Sequence, residues 1–378
     1  MRSISSFFLI LAIFLSQPAC KPSKGNNERY LEFLSRLQEE EAYISFFAAE
    51  KAFIQEISEV YLAARRDFFM GVSQCKEDPE EWMESFMKVC RKNGLIEENN
   101  LEAWEEVLLI LSYELYANMP IFEFSTENIR AIRSITFAEY PNKKLELDLF
   151  LPEHPISETV PAVICIHGGG FVVNRRIWFE PFAKYLASKG MAAVSIDYRK
   201  IPAVGILDCV YDSKAAVRWL RANASTYGID PDRIGALGAS AGAMLVATLA
   251  TTADIPELEG SGGNPEISSE IQAVVGIATP AVKLDRDEEL ILRHGLSLDE
   301  AKLISPYENV SPSSAPLLLI HGTADETVDP QNARDLYEKF EEMGVHVELK
   351  WIPDEGHGFY EGNDLAIAMA SEFFLRVL

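Results

Sequence analysis

The pattern of apolar and polar positions changes character twice along the chain. Residues 7–15 are an unbroken apolar run. From Arg29 to Val72 apolar residues recur three and four apart, at Leu31, Leu34, Ile44, Phe47, Ile54, Ile57 and Tyr61, which is the spacing of helices with one buried stripe. Asp78-Pro79-Glu80-Glu81 carries a helix start: Asp78 caps, Pro79 sits in the first turn and Glu81 closes a capping box, while Gly94 suits the end. Another helix is predicted from about Leu101 to Tyr116, before Pro120. From Ile132 the period becomes two, and Leu145, Leu147, Leu149 and Leu151 alternate with polar or large residues as an antiparallel strand does.

Beyond Pro152 short apolar runs alternate with amphipathic stretches. Strands are predicted at Pro161–Ile166, Ala192–Ile196, Ile234–Leu237, Ile271–Ile277, Pro316–Ile320 and His346–Ile352. Helices are predicted at Trp178–Lys189, Leu207–Tyr227, Ala241–Ala250, Pro330–Met343 and Leu365–Leu378. This alternation implies a mostly parallel sheet covered on both faces. The expected organisation is a leader at 1–20, an all-helical segment at 21–120 and an α/β domain at 121–378. Gly260-Ser-Gly-Gly-Asn264 reads as a surface loop.

Composition narrows the picture in two respects. A formal charge of −24 over 378 residues argues against a nucleic-acid partner, because phosphates would be repelled. The apolar run at 7–15 is too short to span a bilayer. With Arg2 before it and Ser16-Gln-Pro-Ala19 after it, it has the layout of a secretory signal peptide, so the chain is expected to be exported, to the periplasm or the cell surface. The segment ends on Cys20 and resembles a lipobox, although Gln17 departs from it; a lipid anchor at Cys20 and a plain leader both stay open, and the anchor would be the chain's membrane contact. Cys75 and Cys90 lie in one helical stretch where an exported chain can pair them or leave them as small apolar residues, whereas Cys165 falls in a strand and reads as core. No Cys or His spacing indicates a metal site, and no cofactor is implied. The aromatics of the helical segment, Trp82 and Trp104 among them, read as the core of a small bundle, with an acyl pocket as the rival.

The chemistry concentrates at the carboxyl ends of the predicted strands, where open parallel sheets place their sites. Gly238-Ala239-Ser240-Ala241-Gly242 follows one strand and opens a helix. A serine in so tight a turn stands exposed above the sheet, and the small residues around it let the turn close. His167-Gly-Gly-Gly-Phe171 follows another strand, and its glycines let backbone N–H groups approach a developing oxyanion; a phosphate cradle is the rival use. His167 itself reads as a brace for that loop. His321-Gly-Thr-Ala-Asp325 offers a carboxylate after a third strand; Glu326 and Asp329 compete, and Asp325, the first after the strand, is the choice for orienting an imidazole. His357, framed by Gly356 and Gly358 after the last strand, is the candidate general base.

Serine, acid, histidine is the triad order of α/β-hydrolases. Residues from about Ile132 to Leu378 resemble that superfamily. Within it, His167–Gly170, Asp197-Tyr-Arg199, Gly238–Gly242 and His321–Asp325 resemble the hormone-sensitive-lipase-like carboxylesterases. Ala215-Ala-Val-Arg-Trp-Leu220, Gly228-Ile-Asp-Pro-Asp-Arg233 and Gly260–Asn264 are similar to segments of bacterial feruloyl/acetylxylan-esterase-like proteins. The resemblance implies an α/β-hydrolase fold, Ser240 as nucleophile, His357 as base and Asp325 as its orienter. It also implies an oxyanion hole from the N–H groups of Gly169, Gly170 and Ala241. The substrate it implies is a small-molecule or carbohydrate-linked carboxylic ester with a short acyl group. Two departures stand out: Lys200-Ile-Pro202 follows Arg199 where Leu-Ala-Pro-Glu is usual, and Asp329 follows Val328 where proline is usual. A prolyl-oligopeptidase-like peptidase and a non-catalytic binding protein on the same scaffold are the alternatives.

Overall fold

The computed structural model describes residues 126–378 apart from residues 127, 142, 156, 173–174, 288–294 and 358–362. These fall in the unit Pro120–Leu378. The leader 1–20, the Cys20 anchor, the helical segment 21–120 and the Cys75–Cys90 pair lie outside the described residues.

In chain order the elements are β1 (Ile129–Tyr140), β2 (Lys143–Pro152), β3 (Val160–Ile166), α1 (Glu180–Ser188), β4 (Ala192–Ile196), α2 (Ile206–Ala222), the single turn α3 (Ala224–Tyr227), β5 (Ile229–Ala239), α4 (Ala241–Thr251), β6 (Ala273–Ile277), α5 (Leu298–Ile304), β7 (Leu317–Gly322), α6 (Gln331–Glu342), β8 (Val347–Ile352) and α7 (Asn363–Val377). The strands form one eight-stranded sheet in the order β1-β2-β4-β3-β5-β6-β7-β8. The pairings β1–β2 and β2–β4 are antiparallel, and the remaining five are parallel. The carboxyl ends of β3, β5, β7 and β8 therefore emerge along one rim.

Strands β4 and β6 are buried at every position, as expected of near-continuous apolar runs inside a parallel sheet. Alternation decides which helix each residue meets. Ala162, Ile164 and Ile166 of β3 join one core cluster with Val217 and Leu220 of α2, Leu245 of α4, and Leu336 and Phe340 of α6. The intervening Val163 and Cys165 face the other side, where Gly235, paired with Val163, backs onto the ring of Phe374 in α7. Helix α6 is amphipathic, burying Asn332, Ala333, Leu336 and Phe340 at helical spacing. Helix α4 is buried at every position from Ala241 to Thr251, and its run of Ala, Leu, Met and Val leaves no polar face.

Three features differ from the reading of the sequence. Strand β1 was not foreseen as a separate strand. A register shift between Ile132 and Ile135, at Ser134 with φ +53°, breaks the period-two pattern and leaves the apolar residues three apart. Helix α5 adds an element that buries only Ala301 and Ile304, too few to leave a stripe, although Ser297 and Glu300 form its capping box. The 260–264 loop is not simply at the surface. Gly262 is buried, its carbonyl accepts a hydrogen bond from buried Arg218 (2.5 Å), and Arg218 also pairs with Glu259 (2.8 Å).

The junction of β5 and α4 is where the backbone is most crowded. A Cβ added at Gly242 would stand 2.1 Å from the carbonyl oxygen of Ile166 and 2.6 Å from that of His167. Both obstacles are backbone, which cannot turn aside. Gly242→Ala is expected to lower unfolding stability by about 3 kcal/mol, read from urea midpoints. The loss should exceed that of Gly190→Ala, whose Cβ would meet nothing within 4 Å and bears only the cost of its φ of +92°.

Candidate active site

Ser240 sits between β5 and α4 with φ +53° and ψ −121°, a backbone conformation that L-residues rarely adopt. It is pinned from both sides: its N–H donates to Ile277 O at the end of β6 (2.9 Å), and its carbonyl accepts from Met244 N (3.0 Å). The chain reverses so sharply that the hydroxyl projects from the rim. The His167–Phe171 loop lies over this turn. A Cβ at Gly168 would come within 2.8 Å of Ala239 O and 3.2 Å of the Ser240 Cβ. Gly169, Gly170 and Phe171 all have positive φ (111°, 59° and 65°), and the turn is closed by Val172 N donating to Gly169 O (3.0 Å). Ala241 is the first residue of α4, so its N–H has no acceptor within the helix.

The loops after β7 and β8 are tied together past the end of the sheet. Thr323 N donates to Ile352 O (3.0 Å), Ala324 N to Glu355 O (2.9 Å) and Asp354 N to Thr323 Oγ1 (2.9 Å). This pairing carries Asp325 and His357 to one place although 32 residues separate them. His357 Nδ1 lies 2.9 Å from Asp325 Oδ2, and its Nε2 lies 2.9 Å from Ser240 Oγ. An ionised carboxylate can only accept, so Nδ1 carries the hydrogen and Nε2 is left to accept from the serine hydroxyl. The His357 side chain is partly exposed and that of Asp325 fully buried.

Asp325 is held by donors on both oxygens. Oδ1 accepts from Thr327 N and Val328 N, each at 2.9 Å. Oδ2 is shared between His357 and buried His321, whose Nε2 lies 3.2 Å away and also meets Val328 O at 2.9 Å. Burial pushes the carboxyl upward, but the hydrogen bonds from His321 and His357, the imidazole's charge and the Val328 N–H outweigh it. The group is held well below the usual carboxylate range. Glu326 and Asp329 are exposed, and Asp329 Oδ1 accepts from Gln331 N, the first residue of α6 (2.8 Å). Ser240, Asp325 and His357 are therefore brought together and the competing carboxylates are not. The approach of His321 to Asp325 was not read from the sequence, where His321 was given no role of its own. Its spacing of four from Asp325 was the available signal.

His167 is fully buried and its imidazole is held well below its usual value, by burial first and then by the charge of Lys200. Its Nδ1 lies 2.6 Å from Gly168 O, and its ring stacks on Tyr198 with centroids 4.5 Å apart.

A mostly parallel eight-stranded sheet, helices on both faces and a strained serine between β5 and α4 define an α/β-hydrolase fold. The chain belongs to the BD-FAE family, whose model matches residues 147–340, a stretch that holds Ser240 and Asp325 and ends before His357. It is similar to the probable carboxylic ester hydrolase LipM of Mycobacterium tuberculosis, with 28% identity over 60% of this chain and 55% of that protein. The matched stretch spans little more than half the length of such curated relatives. Among solved structures, the thermophilic esterase Est2 of Thermogutta terrifontis superposes with a TM-score of 0.59 at 28% identity, covering 67% of this chain and 94% of that one. It has also been solved with propionate and with butyrate bound. A truncated carbohydrate esterase from gut microbiota superposes with a TM-score of 0.58 at 25% identity, covering 65% of this chain and 95% of that one.

The depressed Asp325 carboxyl has a stability consequence with a definite sign. Its contribution is fully present above the unfolded-state value of about 4 and is lost as pH falls toward the lower folded-state value. Wild type should therefore lose stability on acidification below about pH 5 more steeply than Asp325→Asn, the slopes differing by up to about 1.4 kcal/mol per pH unit. Chemical denaturation at a series of pH values reads this directly; parallel slopes would mean the folded carboxyl titrates normally.

Proposed function

We propose that the protein is a serine hydrolase of carboxylic esters. The observation that carries this reading is one imidazole held between a hydroxyl and a buried carboxylate, His357 with Ser240 Oγ and Asp325 Oδ2 at 2.9 Å each. As Ser240 Oγ attacks the ester carbonyl, its proton passes to His357 Nε2, and Asp325 stabilises the resulting imidazolium. The oxyanion is received by the N–H groups of Gly169, Gly170 and Ala241, with the amino end of α4 adding its favourable potential. His357 then returns the proton to the departing alkoxide, leaving an acyl-serine. Water repeats the sequence on that intermediate and releases the acid.

The substrate class in this proposal is a short acyl group on a small or carbohydrate-linked alcohol. Support comes from membership of the BD-FAE family, from the propionate- and butyrate-bound esterase and from the carbohydrate esterase that superpose on this chain. The signal-peptide layout of residues 1–20 adds export, to the periplasm or cell surface, with a lipid anchor at Cys20 as its stronger form.

Ser240→Ala is expected to lower kcat on p-nitrophenyl acetate by a factor on the order of 10⁴ to 10⁶ with the fold intact. A fluorophosphonate should label wild type at Ser240 and should label His357→Ala far more slowly. Wild-type turnover by Ser240→Ala would remove Ser240 as the nucleophile, and the absence of both labelling and turnover in the native protein would leave the scaffold a binding protein. Release of acetate or ferulate from xylan, set against simple aryl esters, tests the carbohydrate-linked class.

A further inference from the structure

Lys200 occupies the position where this chain departs from the lipase-like sequences, directly after Asp197-Tyr198-Arg199. Its side chain turns back toward the glycine loop. Nζ lies 3.0 Å from His167 Nε2 and donates to Tyr198 O at 2.9 Å. Donation by His167 Nδ1–H to the Gly168 carbonyl leaves Nε2 without a hydrogen, so Nε2 can accept from an ammonium. Tyr198 adds a hydrogen bond from its hydroxyl to His167 O (3.1 Å), and Ile201 N donates to Phe171 O (3.0 Å). The segment 198–201 thus grips both ends of the turn that lies over Ser240, and Lys200 is its charged member.

We infer that Lys200 is a positioning residue for the oxyanion loop, its ammonium fixing the imidazole of His167 so that the Gly168–Gly170 backbone stays seated against Ser240. The inference deepens the ester-hydrolase reading and rests on it only where rates are measured.

The surroundings make this cation unusual. Arg199, its neighbour, lies against Asp212 with several contacts near 2.9 Å, and Asp212 also accepts from Tyr140. Asp197 accepts from Arg176 N (2.9 Å) and pairs with the Arg176 guanidinium. The direct partners of Lys200 are a neutral imidazole, a carbonyl and the face of the Tyr198 ring, whose centroid lies 3.2 Å from Nζ; none of them carries a negative charge. Burial therefore pushes its ammonium down to about 7, against the opposing influence of Asp197, Cys209 and Asp212 and with a small push from Lys143. The charge is present below that value and lost above it. A neutral amine keeps weaker hydrogen bonds, so the loop loosens as pH rises through about 7.

The test has two arms on the full chain, with thermal melts as a check on folding. In the first, hydrogen exchange corrected for intrinsic rate follows peptides covering residues 166–172. Wild type should lose protection there between about pH 6 and about pH 9, while Lys200→Met should exchange about tenfold faster at the acid end with no pH step. In the second, kcat on p-nitrophenyl acetate should fall in wild type on an alkaline limb near pH 7. In Lys200→Met it should be about tenfold lower at the acid end with KM within about twofold, and the limb should be gone. Lys200→Gln, which keeps a donor but no charge, should give an intermediate rate and a flat limb; it decides the matter if the Met variant does not fold. Loop protection and a pH profile in these variants equal to wild type would overturn the inference. If the exchange arm behaves as described and no ester is cleaved, the positioning role stands and the ester-hydrolase reading falls.

Discussion

The contact on which the rest of the site depends is the near-touching of two backbones, helix α4 at Gly242 against the carbonyls of Ile166 and His167 at the end of β3. With no side chain between them, the helix can start immediately above the sheet. That proximity forces Ser240 into its positive-φ turn and draws the glycine loop over it. A non-glycine residue held there costs about 1–3 kcal/mol. Each fully buried Leu or Val of α4 contributes about 1.5–3 kcal/mol by leaving water, and Leu245, Val246 and Leu249 are all buried. The packing of the helix outweighs the strain at its first residue, so the serine is held rather than merely tolerated.

The acid and the imidazole reach the same rim by a different device. Their loops continue the β7–β8 pairing beyond the last regular residues, so the relative position of Asp325 and His357 is set by backbone hydrogen bonds. The carboxylate is then surrounded by two backbone N–H groups on one oxygen and two imidazoles on the other. An ionised carboxylate in a fully buried position is costly unless its lone pairs are matched, and here the donors match them. His321 places a second imidazole 3.2 Å from Oδ2, its Nε2 shared with Val328 O, so that oxygen keeps a polar neighbour while His357 exchanges its proton with Ser240.

Much of this was legible in the sequence because the site is built from strand ends. An apolar run followed by a glycine-framed Ser240 or His357, or by the first carboxylate after a strand, Asp325, can be read locally, since the end of a buried strand is a local consequence of composition. The choice of Asp325 over Glu326 and Asp329 was also local, because it follows the strand most closely. Strand β1 was hidden because its bulge breaks the alternation that a reader looks for. Helix α5 was hidden because two buried residues make no stripe. The 260–264 loop misled because glycine and serine signal a turn whether its carbonyls face water or, as at Gly262, a buried guanidinium. The second hydrogen bond to Asp325 and the amine beside His167 depend on which strands neighbour each other in space. Pattern along the chain does not carry that information.

Lys200 shows how far a local departure can be interpreted once neighbours are known. In the sequence it is a basic residue next to Arg199, marked only as a departure from the lipase-like pattern. The fold separates them by their partners. Arg199 presents a planar fork to Asp212, a geometry that suits a guanidinium, and its charge is matched at short range. The ammonium of Lys200 is a point charge facing an imidazole, a carbonyl and the ring of Tyr198, with the nearest carboxylates engaged elsewhere. A guanidinium in that place would stay charged at any working pH, whereas an amine responds to burial by losing its proton near neutrality. The residue type and the missing counter-ion together concentrate the titration at the one point where strand β4 meets the glycine loop. Charge placed there acts on the backbone above Ser240 without touching Ser240, Asp325 or His357.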